Sequence, residues 1–207
     1  MSDKSNKYGY VGVDIPAQSF GNNKGVFNPA EINDLVANNQ WTTFGQLELI
    51  ETQTVSASST ADFTSIQEST YNVHFITITL TDTSQNHYMG FRFYESSVLE
   101  TASVYQEASL TNGSEVKSTA RDRIICSQSN LANKATNLYA YFYSLGDSTK
   151  YSFTTYHGTG EKYPDGAFNY YFGSGVLPQT SAVNGIQVLP NQGNMTGTIS
   201  LYGIRYS

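Results

Sequence analysis

From about residue 43 onward, short runs rich in Thr, Val, Ile, Tyr and Phe alternate with turn signals. The former residue types favour strands, whereas Asn, Asp, Gly and Pro favour turns. The turn signals include "TNG" at 111–113, "LGD" at 145–147, "YPDG" at 163–166, "VNG" at 183–185 and "PNQG" at 190–193. The predicted strands are 44–54, 60–66, 72–80, 87–94, 104–110, 122–127, 138–145, 151–157, 167–173, 182–189 and 196–206. This spacing predicts an all-β fold, an antiparallel β-sandwich of jelly-roll-like type.

The first part of the chain follows a different pattern. Residues 1–27 hold four glycines and one proline without a sustained period, which predicts an extended arm. One short helix follows, because Asn28 can cap it, Pro29 suits its first position and Glu31 completes a capping-box-like start. We therefore predict an N-terminal arm and docking helix over 1–42 and a sandwich body over 43–207.

We expect the arm and helix to anchor the protein to a partner through apolar side chains. In the helix these side chains are spaced at i, i+3 and i+4, which places them in one stripe that must dock to be stable. The predicted anchor residues are Tyr8, Tyr10, Val11, Val13, Phe20, Val26 and Phe27 in the arm, and Ile32, Leu35 and Val36 in the helix.

Composition and charge exclude several partners. The net charge of −6 argues against a nucleic-acid partner, which would require a basic surface. No stretch approaches the ~20 apolar residues needed to span a membrane. The N-terminal sequence lacks the apolar segment of a secretory signal, so we expect synthesis in a cytoplasm without export by the usual route. The single cysteine, Cys126, is expected to be a buried thiol.

Sequence motifs give no support to catalysis, a metal site or a cofactor. The three histidines, His74, His87 and His157, lie in separate strand-like runs without a second ligand at metal-binding spacing. The G-x-S-x-G motif of hydrolases and the glycine loop of phosphate-binding folds are absent. We therefore predict no catalytic residue, no metal, no cofactor and no enzymatic activity.

Tyrosine is concentrated in "NLYAYFYSLGDSTKYSFTTY", residues 137–156. A hairpin centred on Asp147 would pair Tyr143 with Tyr151 and Tyr141 with Phe153, placing most of the aromatic side chains on one face. Three interpretations remain open: packing in the core, contact with another subunit, and stacking on a glycan. The candidate interface or glycan-facing aromatics are Tyr139, Tyr141, Tyr143, Tyr151, Phe153, Tyr156 and Tyr163.

Three segments resemble virion structural proteins of marine cyanophages and pelagiphages, of tail-fibre or head-decoration type. They are "YGYVGVDIPAQSFGNNKGVFNPAEINDLVANNQWT", "LIETQTVSASSTADFTSIQESTYNVHFITITL" and "GIQVLPNQGNMTGTISLYGIRYS". The resemblance implies a non-enzymatic, multi-copy component of the virion that contacts other virion proteins. By analogy with fibre-type domains it also implies a homo-oligomer, such as a trimer. A receptor-binding adhesin for host surface glycan is the alternative, and a polysaccharide hydrolase is a third hypothesis.

Overall fold

The computed structural model describes residues 29–38 and 47–204. The helix and the strands belong to two separate compact units. The predicted boundary between residues 42 and 43 and the predicted arm residues Tyr8, Tyr10, Val11, Val13, Phe20, Val26 and Phe27 lie outside the described residues.

The predicted helix is present as α1 (Pro29–Ala37), with Glu31 in its first turn. It ends where Asn38 donates to the Asp34 carbonyl from both its backbone nitrogen and its side-chain amide, at 3.0 and 2.7 Å. No side chain of the helix is buried, and Val36 is 58% exposed while Ile32 and Leu35 are half-buried. The docking role of this stripe stays a prediction.

Within residues 47–204 thirteen strands form the second unit, and the all-β antiparallel sandwich is confirmed. Each of the eleven predicted runs overlaps an observed strand. The strands are β1 (Leu47–Ser58), β2 (Ala61–Phe63), β3 (Val73–Thr83), β4 (Met89–Glu95), β5 (Val98–Leu99), β6 (Tyr105–Thr111), β7 (Ser114–Arg121), β8 (Ile124–Ile125), β9 (Thr136–Tyr143), β10 (Ser152–Glu161), β11 (Phe168–Leu177), β12 (Val183–Pro190) and β13 (Met195–Ile204).

The strands form two sheets of unequal size. The larger has the order β1-β13-β3-β9-β10-β11-β6-β7, and the smaller has the order β2-β12-β4-β5 with β8 paired to β4. All strand pairs are antiparallel. The chain crosses repeatedly from one sheet to the other, which is the jelly-roll-like feature of the fold.

The core lies between the inner faces of the two sheets. Along β9 buried and outward-facing residues alternate, so Leu138, Ala140 and Phe142 point inward. The Phe142 ring makes edge contacts with Phe91 and Phe93 of the smaller sheet, at centroid distances of 5.0 and 5.9 Å. These rings join the sheets, since all three side chains are fully buried.

The predicted register of the β9–β10 hairpin is wrong by two residues. Tyr143 pairs with Phe153, and Tyr141 pairs with Thr155. The connection is wider than predicted, because Ser144 adopts a left-handed conformation (φ 62°) and the Asp147 carboxylate accepts two hydrogen bonds from Thr149. A slip of two residues changes the partners but keeps each side chain on its face, so the predicted sorting of the tyrosines is correct.

Strands β5 and β7 are not predicted from the sequence. The β7 segment "SEVKSTAR" carries three charged side chains and lies at the edge of the larger sheet, paired to β6 alone among the described strands. Asn112 and Gly113, both at positive φ, form the two-residue turn that joins β6 to β7. The turn signal was visible in the sequence, but an exposed edge strand needs no apolar alternation.

Candidate functional site

The larger sheet turns an aromatic outer face to solvent. The alternation along β9 and β10 that sends Phe142 inward sends the neighbouring tyrosines and phenylalanines outward. Tyr139 is 42% exposed and Phe153 is 47% exposed, while Tyr141 and Tyr143 are half-buried among their neighbours. On β11, Phe172 is 46% exposed. Large apolar side chains at this exposure are concentrated on one side of the sandwich.

The rings of this face contact one another across the strands. The centroid of Phe75 on β3 lies 4.6 Å from that of Tyr141 and 6.1 Å from that of Tyr202 on β13. Tyr139 continues the series toward β10, with its ring 5.7 Å from that of His157 in an edge arrangement. These distances are within the range in which aromatic pairs are favourable. The rings therefore form a continuous surface.

Strand pairing arranges the outward side chains in four rows across seven strands, β1, β13, β3, β9, β10, β11 and β6. From one end of the strands to the other, the rows are Leu47, Ile204, Val73, Tyr143, Phe153, Val176 and Gln106; Leu49, Tyr202, Phe75, Tyr141, Thr155, Ser174 and Ala108; Thr52, Ser200, Thr77, Tyr139, His157, Phe172 and Leu110; and Thr54, Thr198, Thr79, Asn137, Thr159 and Tyr170. We call these four rows the aromatic face.

The aromatic face contains no Asp, Glu, Lys or Arg, although such residues make up 14% of the chain. Charged side chains lie at its rim. Lys117 and Glu115 on β7 form an ion pair at 2.7 Å, and Lys134 and Glu161 form another at 3.3 Å beyond the fourth row. A surface of this size without a charge differs from an ordinary solvated sheet face, to which the alternation along each strand assigns the polar residues.

Two shallow depressions interrupt the aromatic face. One, of about 320 Å³, lies beside Phe153, and the other, of about 390 Å³, lies beside Phe172. They share Ala108, and Ser174 lines the first. They form because the side chains of the second row are small on β10, β11 and β6, while the rows on either side carry larger side chains.

The outer face of the smaller sheet has a different character. The Asp62 carboxylate accepts hydrogen bonds from the Tyr94 hydroxyl at 2.6 Å and from the Gln187 amide at 2.7 Å. Burial and the bond to Asp62 raise the pKa of Tyr94 to about 12. The guanidinium groups of Arg123 and Arg92 lower the pKa of Asp122 to about 2. These polar and charged side chains pair with one another, in contrast to the uncharged rows of the aromatic face.

The structure places the predicted site residues in three environments. Tyr139, Tyr141, Tyr143 and Phe153 share the aromatic face. Tyr151, which precedes β10, and Tyr163, in the β10–β11 loop, are exposed but lie outside the four rows.

The prediction for Tyr156 is wrong. It is 4% exposed, points into the core from β10 and belongs to the face opposite that of Phe153. Burial raises the pKa of its hydroxyl. Most of the segment "YHGTGEKY", residues 156–163, belongs to β10, whose alternation places every second side chain inside.

The sequence did not identify Phe75, Tyr202, His157 and Phe172 as members of the site. The available signal was that "YNVHFITITL" and "FNYYF" carry bulky side chains at both odd and even positions along the strand. That pattern shows that both faces of a strand are apolar, but not that strands distant in sequence bring their outer rings together.

Comparison with family models, with curated proteins and with solved structures returns no match to this chain. No helix in the described ranges is long and apolar enough to cross a membrane. Among residues 29–38 and 47–204, no group of three or more His, Cys, Asp and Glu side chains is placed to hold a metal ion. The aromatic face is thus the surface from which a role can be argued.

Proposed function

We propose that this protein is a non-enzymatic structural subunit of a bacteriophage virion, an appendage or decoration protein of the tail fibre, neck or capsid. Its N-terminal segment anchors it to the particle, and its aromatic face packs against a neighbouring subunit. The observation that carries the proposal is the uncharged aromatic face on seven strands. Rings and aliphatic side chains dominate its first two rows, and large exposed apolar patches mark interaction surfaces.

The composition of the face supports contact with protein. The fully buried centre of a protein interface is depleted in charged residues and enriched in tyrosine and phenylalanine. The face meets both conditions, and its charged pairs, Lys117–Glu115 and Lys134–Glu161, lie at the rim. Rings that already contact one another lose little conformational freedom when a partner covers them, which lowers the cost of binding.

The sequence resemblance supports the location in a virion. The segments at 8–42, 49–80 and 185–207 are similar to parts of cyanophage and pelagiphage structural proteins, and they cover both the N-terminal part and the body. Synthesis in the host cytoplasm followed by assembly into the particle agrees with this proposal.

Deleting residues 2–27 is expected to abolish incorporation into particles and to leave the sandwich folded. The reason is that the anchor residues of the arm are removed, while all thirteen strands are kept. Incorporation is measured by quantitative mass spectrometry of purified particles, and folding by circular dichroism. A matched control replaces residues 2–27 with a Gly/Ser segment of equal length. Full copy number of the truncated protein would contradict the anchor, and absence of the wild-type protein from particles would contradict the virion role.

Glycan binding is the second candidate function, favoured by the exposed Phe153 and Phe172 rings beside shallow depressions with polar edges. An aromatic ring can stack on the apolar face of a sugar while neighbouring hydroxyl and amide groups bind its oxygens. If this function holds, wild-type protein should bind host polysaccharide on a glycan array, and Phe153→Ala and Phe172→Ala should each weaken binding by about 10-fold, or roughly 1.4 kcal/mol. Tyr88→Ala, which removes an exposed ring next to β4 of the smaller sheet, is the control. If the wild-type protein binds none of the host polysaccharides on the array, this candidate function is excluded.

A further inference from the structure

We propose that the partner of the aromatic face is a second copy of this chain, packed face to face about a two-fold axis parallel to the strands and lying between β9 and β10. The inference rests on the proposed function in one respect, that this face contacts a subunit. It adds the identity of that subunit and the geometry of the pair.

The first argument is electrostatic. The chain carries a net charge of −6, so two copies repel unless the surfaces that meet are neutral. A two-fold interface is formed by the same patch on both copies, and any charge near its axis would meet itself. The aromatic face has no charge in any of its four rows, so it can oppose itself without that cost. A partner of different sequence would be recognised by complementary charges, which this face does not offer.

The second argument is area. The axis sets six strands of the aromatic face, from β13 to β6, against the same six strands of the other copy, and it sets β1 against the charged β7 at the rim. Strands lie about 4.8 Å apart and rise about 3.4 Å per residue, so six strands and four rows cover roughly 500–800 Å². Each partner in an interface of standard size buries about 800 Å². The face is therefore large enough for a stable pair of copies.

The third argument is the shape of the aromatic face, which determines where the two-fold axis lies. A two-fold axis between β9 and β10 places β9 over β10 of the other copy and β3 over β11 of the other copy. In the second row this sets Tyr141 against Thr155, and Phe75 against Ser174. Large rings on one side of the axis thus meet small side chains on the other, at the depression lined by Ser174 and Ala108.

The third row shows the opposite order, and the same axis satisfies it. Here the small residues Thr77 and Ser200 lie on the β3 and β13 side, and the large residues Phe172 and Leu110 lie on the β11 and β6 side. The two-fold sets Phe172 against Thr77 and Leu110 against Ser200. In these two adjacent rows the large side chains lie on opposite sides of the axis, so both rows are self-complementary about it. Sheets that pack face to face keep their strands within about 30° of each other, which preserves these side-chain pairings near the axis.

Sedimentation equilibrium of the full chain tests the pair. We expect wild-type protein to be dimeric at about 100 µM and Ser174→Glu to raise the dissociation constant at least 10-fold, because a carboxylate would be desolvated beneath the Phe75 ring of the other copy. Phe75→Lys is expected to weaken association in the same way. Mixing the two variants should restore a heterodimer, since the introduced ammonium and carboxylate then face each other.

Two further samples keep this test decisive. In a mixture of Ser174→Glu with Thr64→Lys, whose charge lies on an exposed residue outside the four rows, the heterodimer should be no tighter than that of Ser174→Glu with wild-type protein. The pair Thr77→Lys with Phe172→Glu should restore association independently, so that a folding defect of Phe75→Lys does not decide the outcome.

A monomeric wild-type protein at about 100 µM, a trimeric mass, or no restoration in either matched mixture would overturn the two-fold pair. These results are distinct from failure of the proposed function. A dimer that is absent from purified particles would overturn the virion role alone, whereas a monomer found in particles would overturn only the face-to-face pair.

Discussion

Phe142→Ala is expected to lower the free energy of unfolding by about 3–5 kcal/mol. The Phe142 side chain is fully buried, and its ring contacts Phe91 and Phe93 across the space between the two sheets. Truncation removes the transfer free energy of the ring and leaves a cavity that the neighbouring rings fill only in part. Of the side chains on the β9–β10 hairpin, this one makes the ring contacts that hold the sheets together.

The matched control is Tyr139→Ala on the same strand. Its ring points to the opposite face and is 42% exposed, so its loss should cost below about 1 kcal/mol, the size of a cross-strand aromatic contact. Both variants are measured by urea unfolding at low protein concentration, where association does not contribute to stability. Equal losses would show that the two faces of β9 have been assigned wrongly.

Acidification from pH 6.5 to pH 4 is expected to cost about 3 kcal/mol of stability through His87. The side chain is buried, with Nδ1 2.9 Å from the Thr83 hydroxyl oxygen and Nε2 3.3 Å from that of Thr136. Burial lowers its pKa from 6.5 to about 4. In the unfolded chain the imidazole takes up a proton near pH 6.5, whereas the folded protein resists protonation until about pH 4. Unfolding therefore binds a proton in this window, and stability present above pH 6.5 is lost as the pH falls through it.

Unfolding of wild-type protein and His87→Gln by urea at pH 7, 6, 5 and 4.5 isolates this contribution. The variant should lose stability with pH less steeply, by up to about 1.4 kcal/mol per pH unit, because one proton is no longer taken up. His74, whose pKa burial also lowers, acts in the same direction in both proteins. Glu107, whose pKa burial raises, acts in the opposite direction in both. Parallel pH profiles of the two proteins would contradict the role of His87.

The two faces of the β9–β10 hairpin show what a local sequence pattern can and cannot predict. Residues two apart share a face, so the sorting of Tyr139, Tyr141 and Tyr143 away from Phe142 follows from the strand period alone. Both faces are bulky, and the hairpin by itself does not indicate which one becomes the core. That choice depends on Phe91 and Phe93, which come from a strand some fifty residues earlier and pack on Phe142.

The pairing register of β9 and β10 is likewise not predicted by the local pattern. The turn signal "LGD" predicts a centre at Asp147, but the hydrogen bonds that the Asp147 carboxylate accepts from Thr149 and the left-handed Ser144 close a wider loop. A shift of two residues leaves the pattern of faces unchanged, so no periodicity argument could detect it.

Local sequence pattern was sufficient to predict the β-sandwich class, the start of the helix, the approximate positions of eleven strands and the grouping of the hairpin side chains into two faces. These follow from turn chemistry and from the alternation of side chains, which act between neighbouring residues. The folded structure was needed to show that Tyr156 is buried, that "SEVKSTAR" is an edge strand, and that Tyr202, Phe75, Tyr141 and Phe172 belong to one uncharged surface. These features arise because pairing between strands remote in the chain places the side chains together, and a local pattern carries no information about which remote strand becomes the neighbour.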